Sequence, residues 1–367
     1  MSSPGSKIIL TGATGYVGGT VLDQLIKNTA LSLVDLTFDV LVRAAKIAQK
    51  LKDAYGAHLN PIQWKGLDDV RSIAITASNY DIIVNTGSGF MPAGARAFVD
   101  GWPAASIQAA LYHGSFTSVD VQIFPTGQSR SRPTLAVNST MPTRKTSSAL
   151  SRARTNETHT PSGPLKSRCS LAPRRRAYRP SVSRPLVIFG EGTGLFNRAG
   201  IVVPLAVRYV AQHGHGYKLN ETSDFDWVHV LDLTDLYVLI VRAILEREDR
   251  GVVYIPSGKK GIIFPAVARV LNFEIQQLAL DAAFKAGVLP REDTSKKKEI
   301  RQESLATIAD ELCAGQTAIA ERGLAGHKVL KGTMAKKLLG EAQRDWTAHG
   351  GKILQMSWLH WERAREV

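Results

Sequence analysis

The stretch KIILTGATGYVGGTVLDQLI, residues 7–26, decides how the rest of the chain is read. Lys7 to Thr11 is a short apolar run of the kind that forms a strand covered on both faces. Gly12, Gly15 and Gly18 follow at three-residue spacing, and Val17, Val21, Leu22 and Leu25 then recur at helical spacing. A strand, a glycine-rich turn and a helix suit a dinucleotide for a physical reason. The glycines permit a tight turn and let the backbone come close to a pyrophosphate. The helix start offers free N–H groups and the positive end of its dipole. Glycines also punctuate turns in other α/β folds, so the flanking strand and helix carry the inference.

Outward from this stretch, Phe38–Val42 reads as the next strand, and it ends at Arg43. An NAD-selective site has an acid at this strand end, on the ribose hydroxyls. Here a cation stands there, with Lys46 a turn beyond, and Asp39 lies inside the strand, too early for a ribose. A cation suits the 2′-phosphate, so NADP(H) is expected in preference to NAD(H); a solvated strand-end charge is the plainer alternative. Ala44–Tyr55 reads as a helix and Pro61–Lys65 as a strand leading to GLDD, residues 66–69. Asp68 would lie on the adenine side of a dinucleotide, although an acid here equally suits a helix cap. Tyr80–Asn85 reads as the fourth strand. The small residues Thr86, Gly87, Ser88 and Gly89 after it would let a cofactor pass over the strand ends. Strands alternating with helices predict an α/β fold, a doubly wound parallel sheet of the Rossmann type.

Composition bounds the remaining choices. The 367 residues are 44% apolar, enough for a sizeable core. Cys169 and Cys313 stand far apart, so neither a disulfide framework nor a metal site is expected. The start, MSSPGSK, lacks the apolar core of a secretory signal, and no run approaches the roughly 20 apolar residues of a membrane span. A cytoplasmic protein with no membrane partner is expected. The net charge of +14 is concentrated in one place: residues 102–184 hold 13 Lys or Arg against 2 Asp or Glu, with 8 of the 16 prolines and 14 serines. The basicity therefore belongs to that segment, and no nucleic-acid partner is expected, although RRR at 174–176 could pass for a nuclear signal or a nucleic-acid patch.

TGATGYVGG (residues 11–19), the strand ending in LVR, GLDD and VNTGSGF (residues 84–90) together resemble an extended short-chain dehydrogenase/reductase. More narrowly they are similar to the fungal-type NAD-dependent epimerase/dehydratase superfamily, in the neighbourhood of its NmrA-like group. The resemblance covers residues 7–101, resumes at FGEGTGLFNR (189–198) and continues through DWVHVLDLTDLY (226–237). It implies that Gly12, Thr14, Gly15, Tyr16, Val17 and Gly18 carry the pyrophosphate turn. Arg43 would take the 2′-phosphate. Gly192, Thr193, Gly194, Leu195 and Phe196 would line the substrate entrance. Asp232 would cap a helix over 233–245, and His229 reads as a packed strand-end residue rather than a catalyst. The organisation implied is residues 1–101 as the first half of an NAD(P)-binding Rossmann domain, 102–184 as an anomalous, irregular segment, 185–258 as the second half and 259–367 as a small, mostly helical substrate cap. Ile262–Leu280 and Ser304–Ala314 read as helices of that cap. The implied activity is that of an NAD(P)-dependent oxidoreductase or epimerase on a small carbonyl or alcohol substrate, and a homodimer is compatible with it.

Family members carry an active-site strand and a Tyr-x-x-x-Lys helix where residues 102–184 stand. The nine tyrosines here are followed, four residues on, by Thr20, Leu59, Val84, Phe116, Val182, His213, Glu221, Val241 and Gly258, so the motif is missing as written and the catalytic residues are unknown. Read as degenerate codons and regrouped by frame, FTSVDVQIFPT (116–126) permits HISGCSNLSD, close to the family's HTSGTSNLGD. In the same frame TNETHTPSGPLKS (155–167) permits ERDPYAQRTTEV, close to its EPYAQRTTD. Residues 102–184 are therefore read as translated out of frame, the alternative being a genuine basic insertion. With Tyr-Lys chemistry missing, two other readings stand beside the enzyme: a non-catalytic NADP-sensing NmrA-like regulator, and an inactive product of a faulty gene model.

Overall fold

Ile8, Ile9 and Leu10 are all buried, and alternate residues meet different partners. Ile8 and Leu10 belong to a cluster with Val21, Leu22, Leu25, Leu233, Leu236 and Val241. Ile9 belongs to another, with Ile73, Ala77, Ala97 and Phe98. A strand covered on both faces divides its side chains in this way, with period two. The same division holds for Val40 and Leu41, and for Val84 and Ile83.

The computed structural model describes residues 6–87, 91–101, 109–114, 118–123, 186–246, 262–289 and 299–326, with 332, 333 and 337. In chain order the first half comprises β1 (Ile8–Thr11), α1 (Tyr16–Lys27), α2 (Leu31–Val34), β2 (Phe38–Val42), α3 (Ala45–Tyr55), β3 (Leu59–Gln63), α4 (Val70–Ala77), β4 (Ile82–Asn85), α5 (Pro92–Asp100), β5 (Ala109–Gly114) and β6 (Ser118–Ile123). The second comprises β7 (Leu186–Phe189), α6 (Val202–His213), β8 (Gly216–Lys218), β9 (Asp224–His229), α7 (Val230–Leu245), β10 (Ile262–Ile263), β11 (Ala268–Leu271), α8 (Asn272–Ala286), β12 (Ile300–Gln302), α9 (Leu305–Cys313) and α10 (Thr317–Ala320).

Among the described residues the main sheet has seven strands in the order β10-β6-β5-β4-β1-β2-β3. From β3 to β5 every pairing is parallel, and β6 and β10 are antiparallel. Helices α1 and α7 supply residues to the cluster on one face, α4 and α5 to that on the other. This is the Rossmann-type doubly wound arrangement, and the order reverses between β1 and β4, the position beyond whose carboxyl ends open α/β sheets bind ligands.

The expectation of an irregular middle bears on the edge of β4. Residues 109–114 and 118–123 form ladders, β5 in parallel register with β4 and Tyr112 opposite Asn85. Two stretches inside the segment expected to be irregular are thus strands, and the β4 edge is paired. AALYHG and SVDVQI are short, carry no proline and have β-branched residues in the second, which suits a hairpin. Residues 102–108, 115–117 and 124–185 lie outside the described residues.

The second half builds a separate three-stranded sheet, β11-β9-β7. Its cluster joins Val187, Phe189, Phe225 and Trp227 to α6 and α8. Val228 and the apolar face of α7 belong instead to the main cluster. The proposed helix over 262–280 is corrected: 262–263 and 268–271 are strands, and the helix runs 272–286. Pro265 interrupts the earlier stretch, and the carboxylate of Glu274 accepts from the Leu271 N–H at 2.8 Å, which fixes the start. The expected helix near 304–314 is present as α9, with Ser304 as its cap, accepting from Thr307 N at 3.0 Å.

Candidate functional site

The turn after β1 is shaped by Gly12, whose φ of +80° suits glycine. A Cβ on Gly12 would lie 2.6 Å from Thr86 Oγ1 and 2.7 Å from Thr86 O, and one on Gly18 would strike Thr86 Oγ1 and Gly12 O. Gly15 is less confined, with only Gly12 O at 3.1 Å from its would-be Cβ. It is the N-cap of α1, makes no side-chain cap bond, and is followed by no acid in the first turn. Among the described residues no side chain caps this helix start, the condition under which a bound anion is stabilised there. Thr14 is half-buried in the turn, and Val17 packs into the main cluster.

Behind the turn, hydrogen bonds tie the carboxyl ends of β1 and β4. Thr86 Oγ1 donates to Thr11 O at 2.5 Å, Thr11 Oγ1 donates to Asn85 Oδ1 at 2.5 Å, and the Gly87 N–H donates to the same Oδ1 at 3.1 Å. Thr86 and Gly87 were legible in the sequence as a small-residue passage. Thr11 and Asn85 belong to the same network, and the sequence signal for them is a polar residue closing an otherwise apolar strand. Ser88 and Gly89 lie outside the described residues.

Arg43 is exposed at the end of β2, as is Lys46, and among the described residues no carboxylate pairs with Arg43. Its stem runs beside Gly66, where a Cβ would sit 3.8 Å from Arg43 Cδ. Asp39 is occupied elsewhere: its carboxylate accepts from Asn60 Nδ2 at 2.9 Å and from Tyr80 OH at 2.6 Å. Of the two acids in GLDD, the second is the one that caps a helix. Asp69 caps α4, accepting from Ser72 N at 3.2 Å, and the Ser72 bonds hold its carboxyl below the ordinary range. Asp68 is exposed.

The 190–200 loop packs against the first turns of α1, Gly192 beside Tyr16 and Thr20 and Gly194 beside Gly19. Tyr16 OH donates to Gly190 O at 2.6 Å within the protein interior. Gly192 and Gly194 are buried, Thr193 and Leu195 are exposed, and Phe196 packs on the main cluster. The structure thus places the Tyr16 side chain under this loop, while its backbone stays at the turn. His229 is buried at the end of β9 and is the cap of α7: its Nδ1 accepts from the Leu231 N–H at 3.2 Å. The cap expected at Asp232 is corrected accordingly, since α7 begins at Val230 and Asp232 lies within its first turn. There a carboxylate interacts favourably with the helix dipole.

A general-acid tyrosine needs a lowered pKa. Burial raises those of Tyr16, Tyr55, Tyr80, Tyr209 and Tyr217, and the hydroxyls of Tyr55 and Tyr80 are hydrogen-bonded to Asp23 and Asp39. Among the described residues no group of His, Cys, Asp and Glu could hold a metal ion, and no helix is long and apolar enough to cross a membrane.

No family model matches the chain, and comparison with curated proteins gives no match. Among solved structures, it is similar to a dTDP-glucose 4,6-dehydratase of Bacillus anthracis in complex with NAD (12% identity, 98% of each chain, TM-score 0.46). It is similar to a nucleoside-diphosphate-sugar epimerase of Staphylococcus aureus (10% identity, 95% of this chain and 99% of that one, TM-score 0.48). It is also similar to a Citrobacter triphenylmethane reductase complexed with NADP(H) (11% identity, 95% and 99%, TM-score 0.47). At such identities and scores these likenesses assign neither an activity nor a ligand to this chain.

Proposed function

We propose that the chain binds a nicotinamide dinucleotide, NADP(H) in preference to NAD(H), and is built as an oxidoreductase or epimerase of the extended short-chain dehydrogenase/reductase type. One observation carries the reading: a glycine turn that tolerates no side chain at Gly12 or Gly18 opens onto an uncapped helix start at the β1/β4 switch point. The residues present fit the group. Gly12–Gly18 would hold the pyrophosphate, Thr86 and Gly87 would flank its path, and Asp68 would stand near the adenine. Arg43 is available for a 2′-phosphate, whereas the nearest strand acid, Asp39, is already bonded to Asn60 and Tyr80. When bound, the nicotinamide would exchange hydride with a substrate carbon. A small carbonyl or alcohol compound is the substrate class proposed, entering past Gly192–Phe196.

A second reading rests on a separate observation: no tyrosine is followed by lysine four residues on. A regulator that binds NADP(H) without turnover, of the NmrA-like kind, needs no such pair. The two readings part in one experiment. Titration of the full chain with NADPH, followed by nicotinamide fluorescence, tests binding, and incubation with a panel of aldehydes, ketones and alcohols tests turnover. Binding with turnover supports the enzyme, and binding alone supports the regulator. Absence of binding removes both and leaves the product of a faulty gene model.

A further inference from the structure

Tyr16 belongs to two places at once. It is the first helical residue of α1, so its backbone lies at the helix start proposed to face a pyrophosphate. Its ring and hydroxyl are buried under a different segment. The hydroxyl donates to Gly190 O at 2.6 Å. A Cβ on Gly192 would lie 3.2 Å from Tyr16 Cδ2 and 2.5 Å from Thr20 Oγ1, and one on Gly200 would lie 3.2 Å from Tyr16 Cε1. Next to this contact, a Cβ on Gly194 would come within 2.8 Å of Gly19 C and 2.9 Å of Gly19 Cα, so the loop and helix backbones meet directly. The loop is also tied to itself. Arg198 Nε donates to Gly192 O at 2.8 Å, the Gly192 N–H donates to Arg198 O at 2.8 Å, and Arg198 Nη2 pairs with Glu191 Oε1 at 2.7 Å. A segment braced internally and seated on one helix face shifts as a unit with that face, because close-packed contacts leave little slack.

We propose that Tyr16 is a positioning residue that couples the dinucleotide turn to the 190–200 loop, so that an occupied turn and a seated loop stabilise each other. The inference rests on the dinucleotide reading given above. It assigns the Tyr16 hydroxyl a task separate from anything its backbone does for a phosphate. Thr193 and Leu195, both exposed on this loop, are the residues whose positions the coupling sets. Coupling of this kind is reciprocal: a ligand that steadies the loop is itself held more firmly when the loop is seated.

The test is hydrogen exchange on the full-length protein, with and without saturating NADPH, followed in peptides spanning 187–200. NADPH affinity is measured in parallel by fluorescence. In the wild type, NADPH is expected to slow exchange of the Gly192 amide by about tenfold. Tyr16→Phe keeps the ring and removes the bond to Gly190. It is expected to bind NADPH with that slowing reduced to within about twofold. Gly194→Ala presses on the Gly19 backbone from the loop side and is expected to lose the slowing in the same way, which covers the case in which one variant does not fold. NADPH binding to the wild type with no change across 187–200 overturns the coupling, as does equal slowing in Tyr16→Phe. A wild type that binds no NADPH overturns the dinucleotide reading itself, and the titration registers that outcome separately.

Discussion

Thr86 Oγ1 occupies the space that a side chain on Gly18 would need, and it is held there by its 2.5 Å bond to Thr11 O. The end of β4 thus fixes how closely the first turn of α1 approaches the sheet. Gly18→Ala is expected to destabilise the protein by about 1–3 kcal/mol and to abolish detectable dinucleotide binding, since backbone as well as Thr86 must move. Gly15→Ala, with one neighbour at 3.1 Å, is expected to leave the melting temperature nearly unchanged while weakening NADPH. Thermal melts and fluorescence titrations of the two variants distinguish these outcomes.

Arg43 is the residue on which the cofactor preference turns. Arg43→Ala is expected to weaken NADPH by about 10–100-fold, the equivalent of losing one charge-assisted contact, and to leave NADH within about threefold. Equal weakening of both dinucleotides would instead show that Arg43 acts on a group they share.

Asn85 accepts from two donors on different segments, Thr11 and Gly87. Asn85→Leu leaves both without that acceptor and is expected to cost about 2–4 kcal/mol in urea unfolding. Asn85→Asp keeps an acceptor oxygen for each and is expected to cost less. A similar loss in the two variants would mean that volume, not hydrogen bonding, is what the site requires.

Asp69 gives a prediction in acid. Its carboxyl is held below the ordinary value of 3.8 by the Ser72 bonds, so its contribution is complete above that value and is lost as pH falls through the lower folded-state value. Asp69→Asn keeps an acceptor for the Ser72 N–H and cannot titrate there. It is expected to match the wild type near neutrality and to show a shallower decline of stability below about pH 4.

The tyrosines govern the opposite limb. Tyr209 is pushed up to about 12, chiefly by burial, and burial also raises Tyr16 and Tyr217. Their contribution is complete below the unfolded-state value of about 10 and declines as pH climbs toward the folded-state values. Ultraviolet titration is expected to show these phenols ionising together with unfolding rather than ahead of it.

The frame reading is open to direct test by sequencing cDNA across codons 95–190. A transcript encoding HISG and YAxRTTE in place of the basic segment is the expected result, and the search for a Tyr-Lys pair then begins from that frame. A transcript matching the chain as written would make the segment a genuine insertion and favour binding without turnover.

Much of the first half is legible because its strands are buried on two faces and so read as unbroken apolar runs: IIL over 8–10 and VLV over 40–42 are the centre of the sheet. The glycine turn was legible for the same reason, since its neighbours fix its context. The Tyr16–Gly190 bond was not, because nothing in either local pattern records a partner so far along the chain. The cap of α7 was misread because aspartate is the commoner capping residue and imidazole a rarer one. The start of α8 was misplaced because the apolar positions of 262–271 satisfy helical and strand periods alike until pairing with β9 decides between them.

Helix α1 buries its apolar face against α7, which joins β1 and β2 in one cluster although it comes far later in the chain. During synthesis the amino-terminal glycine turn therefore leaves the ribosome well before the helix that covers its neighbour. Until α7 arrives, Val21, Leu22 and Leu25 lack part of their cover, and the α1–α7 contact waits on closing that long loop. The nascent first half is expected to be a chaperone client, and truncation before Val230 is expected to yield an aggregating fragment rather than a small dinucleotide-binding domain.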